Sequence, residues 1–153
     1  MNLVDELHRI AAVLDAAGTD YAVCGGLAVT IHGAPRTTKD IDLVVDPGAI
    51  EAVLEAVRPL GYRFTAAPMT FDRDTPTERH IQRVTRIDGH HALTLDLLAG
   101  EGYLEPVLSG RQKVELPAGA LWVVSLEGLA TMKRIARRPQ DLRDLELLGL
   151  DDA

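Results

Sequence analysis

Apolar positions along this chain alternate between helical spacing and short unbroken runs, and the change of period marks the elements. Leu3, Leu7, Ile10, Ala11 and Leu14 form one stripe at three- and four-residue steps, which predicts an amphipathic helix over 3–17. Asn2 is placed to cap it and Gly18 to stop it. Residues 20–24 (DYAVC) are aromatic and β-branched and predict a strand running into Gly25-Gly26. A short helix over Leu27 to His32 then ends at Gly33-Ala34-Pro35, and Ile41 to Val45 predict the next strand. Pro47 to Leu60 reads as a second amphipathic helix, with proline in its first turn and Gly61 at its end.

The second half is richer in strands. Tyr62 to Thr65 predicts a short one, whereas 66–78 has no periodicity and reads as a loop, a candidate for a mobile or substrate-facing segment. His80 to Ile87 and Ala92 to Leu98 flank Asp88-Gly89, a strong hairpin signal. A short helix over Gly102 to Leu108 and a second hairpin, 113–116 with 121–124, come next. Ser125 caps a helix to about Arg138, and Gln140 to Leu148 forms the last one. Helices mixed with hairpins predict an α/β (α+β) fold with a mixed β-sheet and flanking helices. The expected organisation is one domain over 1–153, with 125–150 as a short C-terminal helical segment.

Composition narrows the function classes. A hydrophobic fraction of 46% with 25% charged residues suits a globular protein, and no apolar run has the length of a membrane span. One cysteine excludes an internal disulfide framework, and the acidic pair in MNLVDELHRI argues against a secretory signal, so a cytoplasmic location is expected. A net charge of -7 argues against coating nucleic acid through bulk electrostatics. Local basic clusters remain at Arg79, Arg83 and Arg86 and from Lys133 to Arg138.

Two features carry candidate chemistry. Asp40 and Asp42 are two apart in a strand, so both carboxylates face one side while Ile41 and Leu43 face the core. Like charges at that spacing repel unless a cation lies between them, and oxygen-only ligands suit Mg²⁺. An isolated Asp-x-Asp is more often a solvated strand end, and a lone Gly-Gly more often a tight turn. Together, in the order strand, glycine turn, helix, strand, they point to a phosphate-binding backbone beside a divalent-metal site.

The string GGLAVTIHGAPRTTKDIDLVV resembles the signature of the nucleotidyltransferase superfamily, with its polymerase β-like fold. It is most similar to AbiEii-type and MenT-type toxin nucleotidyltransferases, and also to lincosamide and aminoglycoside nucleotidyltransferases. A weaker resemblance covers LATMKRIARRPQDLRDLELL. The resemblance implies a metal-dependent enzyme moving a nucleoside monophosphate from a triphosphate to an acceptor hydroxyl, using Mg²⁺ or Mn²⁺ and ATP or another NTP. It implies a third carboxylate on a neighbouring strand, for which Asp96 in LTLDLL is the candidate beside Asp40 and Asp42. Gly25, Gly26, Arg36 and Lys133 become the candidate nucleotide-binding residues; without the resemblance, Lys133 reads equally well as a surface lysine.

The toxin relatives imply tRNA as acceptor, a cognate antitoxin and a toxin-antitoxin role, and the antibiotic-modifying relatives imply a small drug hydroxyl. Homodimerisation is a further expectation, since little chain follows the third carboxylate. The competing class is a nucleotide-binding or regulatory module of the same fold without turnover. Arg134, Arg137, Asp141 and Asp144 read as helix ion pairs of little worth. His32, Cys24, Tyr62 and Trp122 read as packing residues, and no Cys or His spacing suggests zinc.

Overall fold

The computed structural model describes residues 2–151. The first helix, α1, runs Leu3–Ala16, and Asn2 Oδ1 accepts the backbone N–H of Val4 at 2.9 Å as its cap. Gly18 takes the left-handed conformation that stops it. Strand β1 is Tyr21–Cys24 and leads straight into α2, Gly25–Ile31. The two glycines therefore open the helix instead of forming a separate turn before it. Next come β2, Asp40–Val45, and α3, Ile50–Val57, the latter flanked by single 3-10 turns at Pro47–Ala49 and Arg58–Leu60.

β3 is only Phe64–Thr65, and the stretch expected to be a loop contains β4, Met69–Phe71, which pairs with β5, Arg79–Asp88. Three apolar or β-branched residues were too short a run to show a period, so the pairing was not legible. The connection from Asp72 to Glu78 is tied by its own side chains. Thr75 Oγ1 donates to the Asp72 carbonyl at 2.6 Å, and Thr77 Oγ1 to the Asp72 carboxylate at 2.9 Å.

β6, His91–Ala99, returns antiparallel to β5 after Gly89, which adopts φ of 62° as the Asp-Gly signal requires. A 3-10 turn at Gly102–Leu104 and α4, Glu105–Ser109, precede the hairpin of β7, Gln112–Leu116, and β8, Gly119–Val123. The last helices are α5, Leu126–Ala136, capped by Ser125, and α6, Pro139–Leu147. Arg137 between them takes φ of 48°, which breaks the two apart.

The sheet is mixed, in the order β3-β5-β6-β2-β1-β8-β7, with β4 also on β5. β2 runs parallel to β6 and antiparallel to β1, and β1 runs parallel to β8. The central strands are apolar on the face packed against the helices: Ile41, Leu43, Leu95 and Leu97 are fully buried with Leu7, Ile10 and Leu14 of α1. Each such side chain contributes about 2 kcal/mol of apolar burial. On the inner face of α1, Glu6 is buried too; it accepts from the Tyr62 hydroxyl at 2.8 Å and from Arg86 at 2.9 Å. This explains Tyr62 as core and removes Arg86 from the basic cluster read along β5.

Candidate active site

The parallel register of β2 and β6 sets Asp42 opposite Asp96, and the antiparallel register of β5 and β6 sets Arg83 opposite Asp96. On the other side, Cys24 at the end of β1 pairs with Asp42. One row across the sheet thus reads Cys24, Asp42, Asp96, Arg83, with Asp40 two residues before Asp42 on the same face. Gly25 follows at the end of the row.

Gly25 has φ of 66°, and a Cβ there would overlap the Asp42 carboxylate. At Gly26 a Cβ would overlap the Arg36 guanidinium and Thr38. Gly25 thus lets the Asp42 carboxylate, and Gly26 the Arg36 guanidinium and Thr38, lie directly against a cradle of bare backbone. A cleft of about 510 Å³ opens there, lined by both glycines, by Asp40, Asp42 and Asp96, and by Arg36 and Lys133. The structure brings all seven residues singled out from the sequence into this one cleft.

The local charges differ from expectation in two ways. Asp96 is buried, as its apolar neighbours suggested, but both its oxygens are engaged by Arg83, with Nε to Oδ1 at 2.8 Å and Nη2 to Oδ2 at 2.9 Å. The carboxylate in turn holds the Arg83 guanidinium well above its ordinary range. Asp42 has no such partner. Burial, then the charges of Asp96 and Asp40, push its carboxyl up to about 7. Burial also raises the Cys24 thiol, which fits a packing residue and not a nucleophile.

The second difference concerns the C-terminal helices. Lys133 is no surface lysine: its side chain is 6% exposed, with Nζ 3.2 Å from Asp141 Oδ1 and 2.9 Å from Asp144 Oδ2. Asp144 also forms an ion pair with Arg36 Nε at 2.9 Å, and Arg138 Nε donates to Asp141 at 2.7 Å. The carboxylates read as members of weak helix pairs are fully buried. They form the charged floor that fastens the Arg36 loop to α5 and α6. Of the expected set, Arg134 reaches outward to Asp151 instead. Against the burial that raises it, Arg138 and Lys133 hold the Asp141 carboxyl below its usual range.

His32 is bonded through Nε2 to the Val124 carbonyl at 2.8 Å, a packing role. Cys24 is buried, whereas Trp122 is only half-buried and carries Arg111 over its ring at 4.4 Å, so it is not core. Arg83 as partner of Asp96, and Phe71, Arg79 and Tyr103 on the cleft wall, were not singled out for the site. The first was recoverable only in part: Asp88-Gly89 announces the hairpin, but the loop itself is Gly89-His90, and it is that centre which sets Arg83 opposite Asp96.

Whether the residues suit a divalent cation is decided by the donors. Asp40 and Asp42 offer only oxygen, Asp42 is buried among like charges, and the cleft they share with the two glycines leaves room for phosphate. Mg²⁺ takes one or two carboxylates and draws further oxygens from substrate phosphates and water. No group of three His, Cys, Asp or Glu side chains among the described residues forms a metal cage by itself. The donor set fits the group.

A carboxylate row beside two glycines on a mixed sheet suits a nucleotidyltransferase. The chain belongs to the family described as uncharacterised nucleotidyltransferases, whose model matches residues 1–132. Its fold is shared with a Thermotoga maritima protein described as a nucleotidyltransferase (TM-score 0.67, 16% identity, 94% of this chain and 90% of that one). It is shared also with the lincosamide antibiotic adenylyltransferase LnuA, solved with lincomycin bound (TM-score 0.61, 12% identity, 95% of each chain). A third similar structure is ANT(2'')-Ia with adenylyl-2''-tobramycin (TM-score 0.62, 14% identity, 97% of this chain and 88% of that one). No curated protein sequence matches the chain. No helix among the described residues is long and apolar enough to cross a membrane.

Proposed function

We propose that this nucleotidyltransferase is metal-dependent, and that it moves a nucleoside monophosphate from an NTP to an acceptor hydroxyl with release of pyrophosphate. The observation that carries the reading is the register: Asp42 and Asp96 stand side by side, with Asp40 on the same face and the bare backbone of Gly25 against Asp42. Asp40 and Asp42, joined by Asp96, would hold Mg²⁺ or Mn²⁺. The ion supplies charge neutralisation on the phosphates and lowers the pKa of an oxygen bound to it.

The chain's own residues do the rest. Gly25 and Gly26 let backbone N–H groups approach the β- and γ-phosphates. Arg36, Lys133 and Arg138 line the same flank, and against Asp141 and Asp144 they leave one surplus positive charge there. Asp96 is the carboxylate placed to take the proton of the attacking hydroxyl, once Arg83 releases one of its oxygens. Positioning and electrostatics supply the rate, as in other phosphoryl transfers.

The resemblance to toxins carries tRNA as an acceptor, with a cognate antitoxin and a toxin-antitoxin role, and the resemblance to antibiotic-modifying enzymes carries a small hydroxyl compound. Both belong in the test, as does a second copy of the chain at the acceptor side. Protein is incubated with each α-³²P-labelled NTP and Mg²⁺ or Mn²⁺, with total tRNA, lincomycin or tobramycin, beside Asp42→Asn. Asp42-dependent label on an acceptor, with pyrophosphate released, is the expected result. Nucleotide binding with neither label nor pyrophosphate in any mixture would reduce the protein to a binding module.

A further inference from the structure

Phosphoryl transfer proceeds in line, so the acceptor oxygen attacks the α-phosphorus from the side opposite the departing pyrophosphate. The sheet lays out these two sides. In the strand order, Gly25 follows β1, Asp42 is on β2, Asp96 on β6, and β5 with β4 lies beyond. With pyrophosphate leaving along the glycines, the acceptor must come over β5 and β4. On that flank the cleft is walled by Phe71, Arg79, Ile81, Leu98 and Tyr103.

We propose that this wall is the acceptor subsite, and that it takes a small hydroxyl compound with a planar or apolar body in preference to a polynucleotide. The inference rests on the transferase reading above and names its acceptor class. Phe71 is 40% exposed, on a strand of three residues, with the Arg79 guanidinium 5.2 Å from its ring centroid. Ile81 and Leu98 are register partners at the base of the wall. These are groups that gain by covering an apolar surface, as small-molecule pockets do, and the whole cleft of about 510 Å³ is of drug-sized dimensions.

The charges argue against a phosphate chain. Polynucleotide binding depends on basic side chains free to replace the counterions of phosphates. Here Arg79 is held by Asp72 at 2.9 Å and Arg83 by Asp96. Around the Asp72–Glu78 connection, Asp74, Glu78 and Glu101 outnumber Arg73, with His80 3.4 Å from Glu78 and 3.9 Å from Glu101. On the glycine flank Arg36, Lys133 and Arg138 are paired as well, but three cations stand there against the two carboxylates Asp141 and Asp144. Anionic substrate is therefore drawn to one side of the acids only, and the other side favours an uncharged or cationic body.

The test compares two fractions of one bacterial extract, its total RNA and its low-molecular-mass filtrate, with lincomycin and tobramycin as defined small probes. Each is incubated with every α-³²P-labelled NTP and Mg²⁺, using wild type, Phe71→Ala, Ile81→Asn and Asp42→Asn. Expected is RNase-resistant label on a low-mass compound, with the acceptor KM raised about tenfold in Phe71→Ala and Ile81→Asn while the KM for the NTP stays within about twofold. Phe71→Tyr, which keeps the ring, restores the acceptor KM. Label on RNA or on protein overturns the acceptor class. Low-mass label with an unmoved acceptor KM in both wall variants overturns the location. Absence of Asp42-dependent label in every fraction is the failure of the transferase reading itself, and is told apart by the missing pyrophosphate.

Discussion

Asp42 is held in the folded protein at a stability cost, and removing its charge should make the metal-free protein more stable. Its carboxyl titrates at about 7 in the fold against an ordinary 3.8. A gap of about three pH units corresponds to about 4 kcal/mol between the two protonation states. The sign follows from proton uptake: between 3.8 and 7 the folded carboxyl is protonated when the unfolded one is not, so stability falls as pH rises through that window. Above about pH 7 the loss is complete and flat. Asp42→Asn keeps the shape and carries no charge, but its amide needs hydrogen-bond partners, a cost of about 1–2 kcal/mol. The net gain is about 2–3 kcal/mol, or about 5–10 °C in a domain of this length. Thermal unfolding in EDTA, with wild type and Asp42→Asn side by side, reads this directly. The gain should be full near pH 8 and gone near pH 4, and it should shrink when Mg²⁺ and ATP are added, since only wild type binds the ion fully. An Asn variant less stable than wild type at about pH 8 without metal would refute the reasoning, as would a gain that does not depend on pH.

Three other substitutions probe the supports of the site. Asp144→Asn removes the counter-charge shared by buried Lys133 and Arg36, and should destabilise by about 3 kcal/mol in urea unfolding; a loss below about 1 kcal/mol would make the network incidental. Gly25→Ala puts a methyl into the Asp42 carboxylate at a left-handed position, so ATP binding by calorimetry should be lost while the circular dichroism spectrum stays folded; retained ATP affinity would remove the glycine cradle from the binding account. Arg83→Gln frees Asp96 from its internal cation, so Mn²⁺ affinity measured by EPR titration should rise about tenfold, equivalent to about 1.4 kcal/mol; unchanged affinity would mean that Arg83 does not compete for the third carboxylate.

What the sequence makes legible here is the part governed by period and by local chemistry. Ile41, Leu43 and their neighbours declared β2, Asp88-Gly89 declared the β5–β6 hairpin, and Asn2 and Ser125 declared two helix starts. The acids and glycines followed because a strand puts every second residue on one face. What was hidden depends on contacts between distant segments. Met69–Phe71 becomes a strand only because β5 is there to pair with it, and Asp141 and Asp144 are buried only because Lys133 and Arg36 meet them. Pattern along a helix surface gives the same reading for a solvated ion pair and for a buried one.

That buried pairing has a consequence for where the site is encoded. The family match ends at residue 132, one residue before Lys133, so the ammonium and both its counter-charges lie outside it. A buried ammonium persists only with paired carboxylates beside it, because its desolvation costs several kcal/mol. Here α6 supplies both carboxylates, and the same Asp144 draws in Arg36 from the loop that follows α2. The glycine flank is therefore charged and shaped by an element beyond the residues that the family model matches. Sequence changes in α6 should reach the nucleotide through Arg36 and Lys133, although Asp144 carries no part of the transfer itself.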